Sequence, residues 1–298
     1  MITTPKNKIH WTRLILRKPQ LLNVLFCIYN LRWFFNFLRF RYAFPTNRLA
    51  LKSLLNELDK EKTFCICPGQ SIDQISKAKL KKISAGNRII ISYAAFSPIS
   101  KGTIFYEIDL EKQHLDNFWK IYTKSKFYDK SKTSKIVFQI STKDFCRSKL
   151  AYARIPEAER NRTFFTYTAE FPDGDLDLFD FFYKKTIRYR NLYSKLGLIF
   201  LFRSSASIPL LMSIYMAHKH FILIGYDGGG PYSKFVTRHE LLNQEGITSS
   251  KLHKVNQSEG ATLFQIISLL RKKLIIELGT KQSIYSKILK PYNWTKKL

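Results

Sequence analysis

From Thr63 onward the chain alternates short apolar runs with polar segments of helical length, and this alternation is the pattern of βαβ units and a parallel sheet. Phe64 to Cys67, Arg88 to Ser92, Thr103 to Ile108 and Lys135 to Ile140 read as successive strands, with a helix over about 72–83 after the first. Phe221 to Gly225 is too short for a helix and too apolar for an edge, so it suits a central strand buried on both faces. A helix over 259–272 and a strand over 273–278 complete the pattern. The fold class expected is α/β, a Rossmann-like and mainly parallel sheet. Residues 150–196 are mixed aromatic and charged, and read as helices and loops forming a lid over the sheet edge.

Open α/β sheets bind ligands outside the carboxyl ends of their strands, and two turns fall there. Asp227 lies just past the strand ending at Gly225. Earlier, Arg203-Ser204-Ser205-Ala206-Ser207 precedes an apolar run of helical length, so hydroxyls and backbone N–H groups gather at a helix start. That arrangement is either an ordinary capped helix or an anion site. The turn Cys67-Pro68-Gly69-Gln70-Ser71-Ile72 has neither the three-glycine spacing of a dinucleotide fingerprint nor the lysine of a P-loop. A strand, a tight glycine turn and a serine at a helix start still suit a phosphate or ribose.

Other chemistry-bearing residues are sparse. No Gly-x-Ser-x-Gly elbow supports acyl hydrolysis. Asp173-Gly174-Asp175-Leu176-Asp177 contains an Asp-x-Asp, which reads either as an acidic surface loop or as a cation site against a diphosphate. His218 and His220 flank a helix-to-strand turn, where a solvated helix end explains them better than a metal pair. His253 sits in a polar segment that folds back toward the sheet's carboxyl edge in this reading, where an imidazole could take a proton near neutral pH. The four cysteines form no CxxC pair, so reduced thiols in a cytoplasmic protein are expected.

The 298 residues carry a formal charge of +28, which points to anionic partners. Residues 1–48 hold Lys or Arg at nine positions and no Asp or Glu, interleaved with aromatics. The uncharged run Pro19 to Leu31 is too short to span a bilayer, and no signal-cleavage site is apparent. The segment reads as an amphipathic helix at an anionic membrane surface, or else as a helix packed on the protein itself. The organisation expected is a membrane-associating segment over 1–48, a Rossmann-like domain over 49–290 with its lid over 150–196, and a basic tail over 291–298. Tyr292 and Trp294 of the carboxyl end would join the membrane contact.

Three blocks in order resemble the bacterial CMP-sialic acid sialyltransferases of glycosyltransferase family 42 and the similar lipopolysaccharide Kdo transferases. They are Cys67-Pro-Gly-Gln-Ser-Ile72, then Arg203-Ser-Ser-Ala-Ser207 through Gly225-Tyr-Asp227, then His253-Lys-Val-Asn-Gln with a helix and strand after it. The resemblance implies a GT-A-variant sheet, no cofactor and no metal. It further implies His253 as general base, Arg203 with Ser205, Ala206 and Ser207 at the donor, and Tyr232 beside the departing phosphate. Gly69, Gln70 and Ser71 would contact the nucleotide, and Gly225 and Asp227 would belong to the donor site. Pro68 stands at the family's turn asparagine, Ser92 or Tyr93 at its second-strand asparagine, and Glu107 at its third-strand asparagine. The donor sugar stays open between sialic acid and Kdo.

The partners implied are a CMP-sugar donor, a glycan acceptor and an anionic membrane surface, with a homo-oligomer possible and location at the inner face of the cytoplasmic membrane. A rival enzyme reading is a transferase or pyrophosphokinase using another nucleotide, with Asp175 and Asp177 on a metal. A nucleic-acid-binding protein is the rival from charge alone, against which no RNA- or DNA-binding motif is visible.

Overall fold

The computed structural model describes residues 18–43, 54, 58, 61–99, 101–107, 119–120, 122–125, 128, 133–140, 149–150, 152–172, 176–202, 205–228, 233–237, 263–281 and 283–295. Among the described residues nine strands form one sheet: β1 (Lys62–Ile66), β2 (Asn87–Ile91), β3 (Thr103–Glu107), β4 (Ile136–Ile140), β5 (Thr163–Glu170), β6 (Leu198–Leu201), β7 (His220–Ile224), β8 (Ile275–Leu278) and β9 (Lys290–Pro291). Their order across the sheet is β6-β5-β4-β3-β2-β1-β7-β8-β9, and every pairing is parallel. The α/β reading is therefore correct.

Burial explains which runs became central strands. Phe64, Cys65 and Ile66 of β1 and Phe221 to Ile224 of β7 are fully shielded from solvent, as a strand covered on both faces must be. Parallel neighbours need crossover segments, and these place helices on both sides of the sheet. One outer strand, β9, is only two residues long, exposed, and ends in a proline, features that blunt an edge against further pairing. At the other edge β6 is buried.

What covers β5 and β6 is the amino-terminal helix α1 (Pro19–Ala43). Trp33, 3% exposed, meets Phe171 and Phe200, while Phe40 meets Tyr167 of β5. Phe26 and Tyr29 pack on Phe182 of α3 (Leu176–Arg188). The Tyr193 hydroxyl of α4 (Arg190–Leu196) donates to Asn30 Oδ1 at 2.5 Å. The helix extends twelve residues beyond the uncharged run ending at Leu31, so it is long and apolar enough by length and composition to cross a membrane. It is also apolar on both faces, with Leu22, Phe26, Trp33, Phe37 and Phe40 buried and Val24, Ile28, Leu31, Phe35 and Leu38 exposed. The expected amphipathic helix is thus corrected: its second apolar face belongs to the protein core.

Other expectations also change. Residues 150–196 include an eight-residue strand, β5, second from the sheet edge, beside α3 and α4. Its aromatic residues, read as lid, include core side chains such as Phe165 and Tyr167. The helix expected over 72–83 divides into a 3-10 turn (Gln70–Gln74) and α2 (Lys77–Ala85), because Ser76 Oγ accepts from Lys79 N and starts a new helix. At the carboxyl end Tyr292 is buried and half-buried Trp294 stacks on Phe64 of β1, so both pack on the core. A helix over 263–270, here α5, precedes β8.

Candidate functional site

The strand order reverses between β1 and β7, since β2 to β6 extend to one side of β1 and β7 to β9 to the other. A crevice outside the carboxyl ends at such a reversal is the usual ligand site of open α/β sheets. The turn after β1 and the turn after β7 meet there.

Their pairing continues past the strand ends. Cys67 N donates to Ile224 O at 2.8 Å and Gly69 N to Gly225 O at 3.1 Å. Only glycines permit this approach. A Cβ on Gly69 would lie 2.3 Å from Gly225 O and 2.6 Å from Asp227 Oδ2. Gly225 adopts φ +70°, and a Cβ there would lie 2.0 Å from Cys67 O. The two glycines thus face each other across the strand reversal.

Asp227 closes the arrangement. Its carboxylate accepts from Ser71 N at 2.8 Å and from the Ser71 hydroxyl, and Ser71 Oγ lies 3.0 Å from Thr280 Oγ1 just past β8. Burial raises the Asp227 carboxyl above the ordinary carboxylate range; the two Ser71 donors pull it back and the nearby Asp73 charge adds to the rise. Asp73 in turn accepts from Ser233 Oγ at 2.5 Å and Lys234 N at 2.9 Å, while Ser233 N donates to Pro68 O at 2.8 Å. The turn after β1 is therefore held between Asp227 and the segment starting at Ser233.

The 205–207 turn after β6 is tied to the same edge through Tyr226. Its hydroxyl donates to Ala206 O at 3.0 Å, and burial pushes the phenol well up. Ser207 Oγ accepts from Phe202 N at 3.0 Å, which fixes the turn. Ser92 opens a 3-10 turn at the end of β2, followed by half-buried Tyr93 packed on Phe96, and Glu107 is the last residue of β3. Hence Gly69, Gln70, Ser71, Ser92, Tyr93, Glu107, Ser205, Ala206, Ser207, Gly225 and Asp227 all belong to the carboxyl edge of one sheet. Gln70 is exposed there, whereas Ser71 is buried and directs both donors to Asp227. Arg203, Tyr232 and His253 lie outside the described residues, as do Asp173 and Asp175. Asp177 is exposed in the first turn of α3, where a carboxylate suits the helix dipole.

The sequence reading missed Asp73, Ser233 and Thr280. Thr280 had a usable signal, because it follows β8 by two residues as Asp227 follows β7 by three. Asp73 and Ser233 had none, since only the fold brings their segments together. His218 and His220 occupy the opposite, amino-terminal edge. His218 Nε2 bonds Thr63 Oγ1 at 2.8 Å and His220 Nε2 bonds Glu277 Oε2 at 2.5 Å, so each has a structural partner. Cys65 and Cys67 are buried, and burial pushes the Cys65 thiol well up.

Geometrically, the edge offers two glycine turns packed against each other, a fixed 3-10 turn with Gln70 at its start, and a hydroxyl-bearing turn after β6. This can seat a nucleotide over the joined β1 and β7 turns, with sugar or phosphate toward the turns after β2 and β6. Compared with family models, curated proteins and solved structures, the chain matches none.

Proposed function

We propose that the chain is an inverting, metal-independent glycosyltransferase of GT-A-variant form, moving sialic acid or Kdo from its CMP-sugar to a bacterial lipopolysaccharide, lipooligosaccharide or capsule glycan. The observation that carries this reading is the meeting of the Gly69–Ser71 and Gly225–Asp227 turns at the strand reversal. The three-block resemblance placed its donor residues in segments separated by more than a hundred positions, and an α/β switch point is where a nucleotide would join them.

In this reading the bound CMP-sugar loses its phosphate-linked bond as the acceptor hydroxyl attacks the anomeric carbon. His253 takes the hydroxyl proton, and the bonding pair leaves with the phosphate of CMP. Arg203 and Tyr232 stabilise the charge gathering on that phosphate, with N–H and hydroxyl groups of residues 205–207 as further donors. Asp227 holds the nucleotide turn in shape through Ser71 and is a positioning residue. The reading puts the enzyme in the cytoplasm beside the inner face of the bacterial membrane.

The test is CMP release from CMP-sialic acid and CMP-Kdo with mixed glycan acceptors in EDTA. Release is expected to persist in EDTA and to fall by a factor of about 10² to 10⁴ in His253→Ala, the span typical of a lost general base. Absence of release from both donors, or release unaffected by His253→Ala, would overturn the assignment.

A further inference from the structure

The face of α1 turned away from the core is exposed, and its composition is unusual. At about 100° per residue, Val24, Ile28, Leu31, Phe35 and Leu38 fall on one stripe, opposite the buried Phe26, Trp33 and Phe40. Their exposure runs from 44% at Leu38 to 61% at Phe35. Arg32 and Arg39 border the stripe on one side and Arg41 on the other, and no acidic residue occurs anywhere in 1–48. The sequence just before the helix adds Lys6, Lys8, Arg13, Arg17 and Lys18.

We infer that this stripe is a docking surface for an anionic lipid bilayer, with α1 lying parallel to the membrane plane between the lipid and the sheet. The apolar side chains would enter the boundary of headgroup and acyl chain to a depth of about 5–10 Å, while the bordering arginines meet lipid phosphates. The inner face fixes the orientation. From Leu22 to Ala43 it is buried along the whole helix, so crossing the bilayer would strip Phe26, Trp33 and Phe40 from α3, β5 and β6.

Two arguments favour lipid over a second copy of the chain. A helix of 25 residues is about 37 Å long and about 10 Å wide, a footprint of roughly 370 Å². That footprint is under half of the roughly 800 Å² per partner that a stable protein interface buries. Moreover, two copies placed face to face would oppose arginines to arginines, whereas an anionic bilayer complements them. The stripe contains none of the residues given to the proposed chemistry, and its test does not depend on turnover.

The full chain is sedimented with vesicles of phosphatidylglycerol and phosphatidylcholine mixed, and with vesicles of phosphatidylcholine alone. Binding to the mixed vesicles is expected, and Leu31→Glu/Phe35→Glu, both on the solvent face, should reduce it at least tenfold with unchanged melting temperature. Arg32→Gln/Arg39→Gln should lower binding to the anionic vesicles on the order of tenfold and bring it toward the neutral-vesicle value. Protein bound to cell membranes should be released by alkaline carbonate. Equal binding to both vesicle types that persists in both variants overturns the inference. So does a concentration-dependent dimer that Leu31→Glu/Phe35→Glu dissociates without affecting vesicle binding, or retention through alkaline carbonate, which would indicate a spanning helix.

Discussion

Asp227 combines two demands at one position: it must accept two hydrogen bonds from Ser71 and do so half-buried beside Asp73. Burial is the larger effect and raises its carboxyl, so the group holds its proton more readily in the folded chain than in the unfolded one. Its contribution to stability is then fullest below the ordinary carboxylate value, about 3.9, and is lost as pH rises through the raised folded value. Asp227→Asn removes that titration and leaves one Ser71 donor poorly paired, a pH-independent loss of about 1–3 kcal/mol. Thermal unfolding measured from about pH 4 to neutrality should show the wild-type advantage over Asp227→Asn shrinking as pH rises. An advantage that grows with pH would mean that the Ser71 donors outweigh burial. At this scale the sequence was informative about Asp227, because a strand end is visible locally, but silent about Ser71 as its partner, 156 positions away.

Among the elements, α1 differs most from its sequence reading, and the reason is that both its faces are apolar. Its basic and aromatic composition led the reading to set it apart from the domain, yet Trp33 touches Phe26, Phe171, Phe182, Tyr193 and Phe200. Truncating a ring so enclosed leaves a cavity, and Trp33→Ala should cost about 3–5 kcal/mol. Phe35→Ala, two residues away on the exposed face, should change stability by no more than about 0.5 kcal/mol. Urea unfolding of the two variants checks the contrast; equal losses would mean that the helix is not docked as described. Strands β1 to β4 and β7 were legible because each is an apolar run between turn signals. Strand β5 was not, since Thr163, Thr166 and Thr168 interrupt its apolar positions while the surrounding aromatic and charged residues imitate a helical lid. Nor was β9, whose two residues carry no pattern at all.

At the scale of the molecule, local patterns can identify parallel strands but not their order, because pairing joins segments far apart in the chain. The reversal arises where the chain leaves β6 at one edge and returns to place β7 against β1. That single step brings Gly225 to Gly69 and joins two turns that carry no site when read alone. A ligand held on those joined turns binds only the folded protein, so it must raise the unfolding free energy, by about 2.7 kcal/mol at a hundredfold excess over Kd. For a chain of this size the shift is on the order of 5 °C in melting temperature. CMP should produce it in the presence of EDTA, AMP should not, and Gln70→Ala, an exposed change at the mouth of the turn, should weaken the CMP shift while leaving the unliganded melting temperature within about 1 °C. Amide exchange would add the location, with new protection at Gly69 to Ser71 and Gly225 to Asp227 but none at His218 or His220 on the opposite edge. Equal shifts with CMP and AMP would keep the site and remove cytidine as its base. Protection confined to the amino-terminal edge would move the ligand away from the strand reversal altogether.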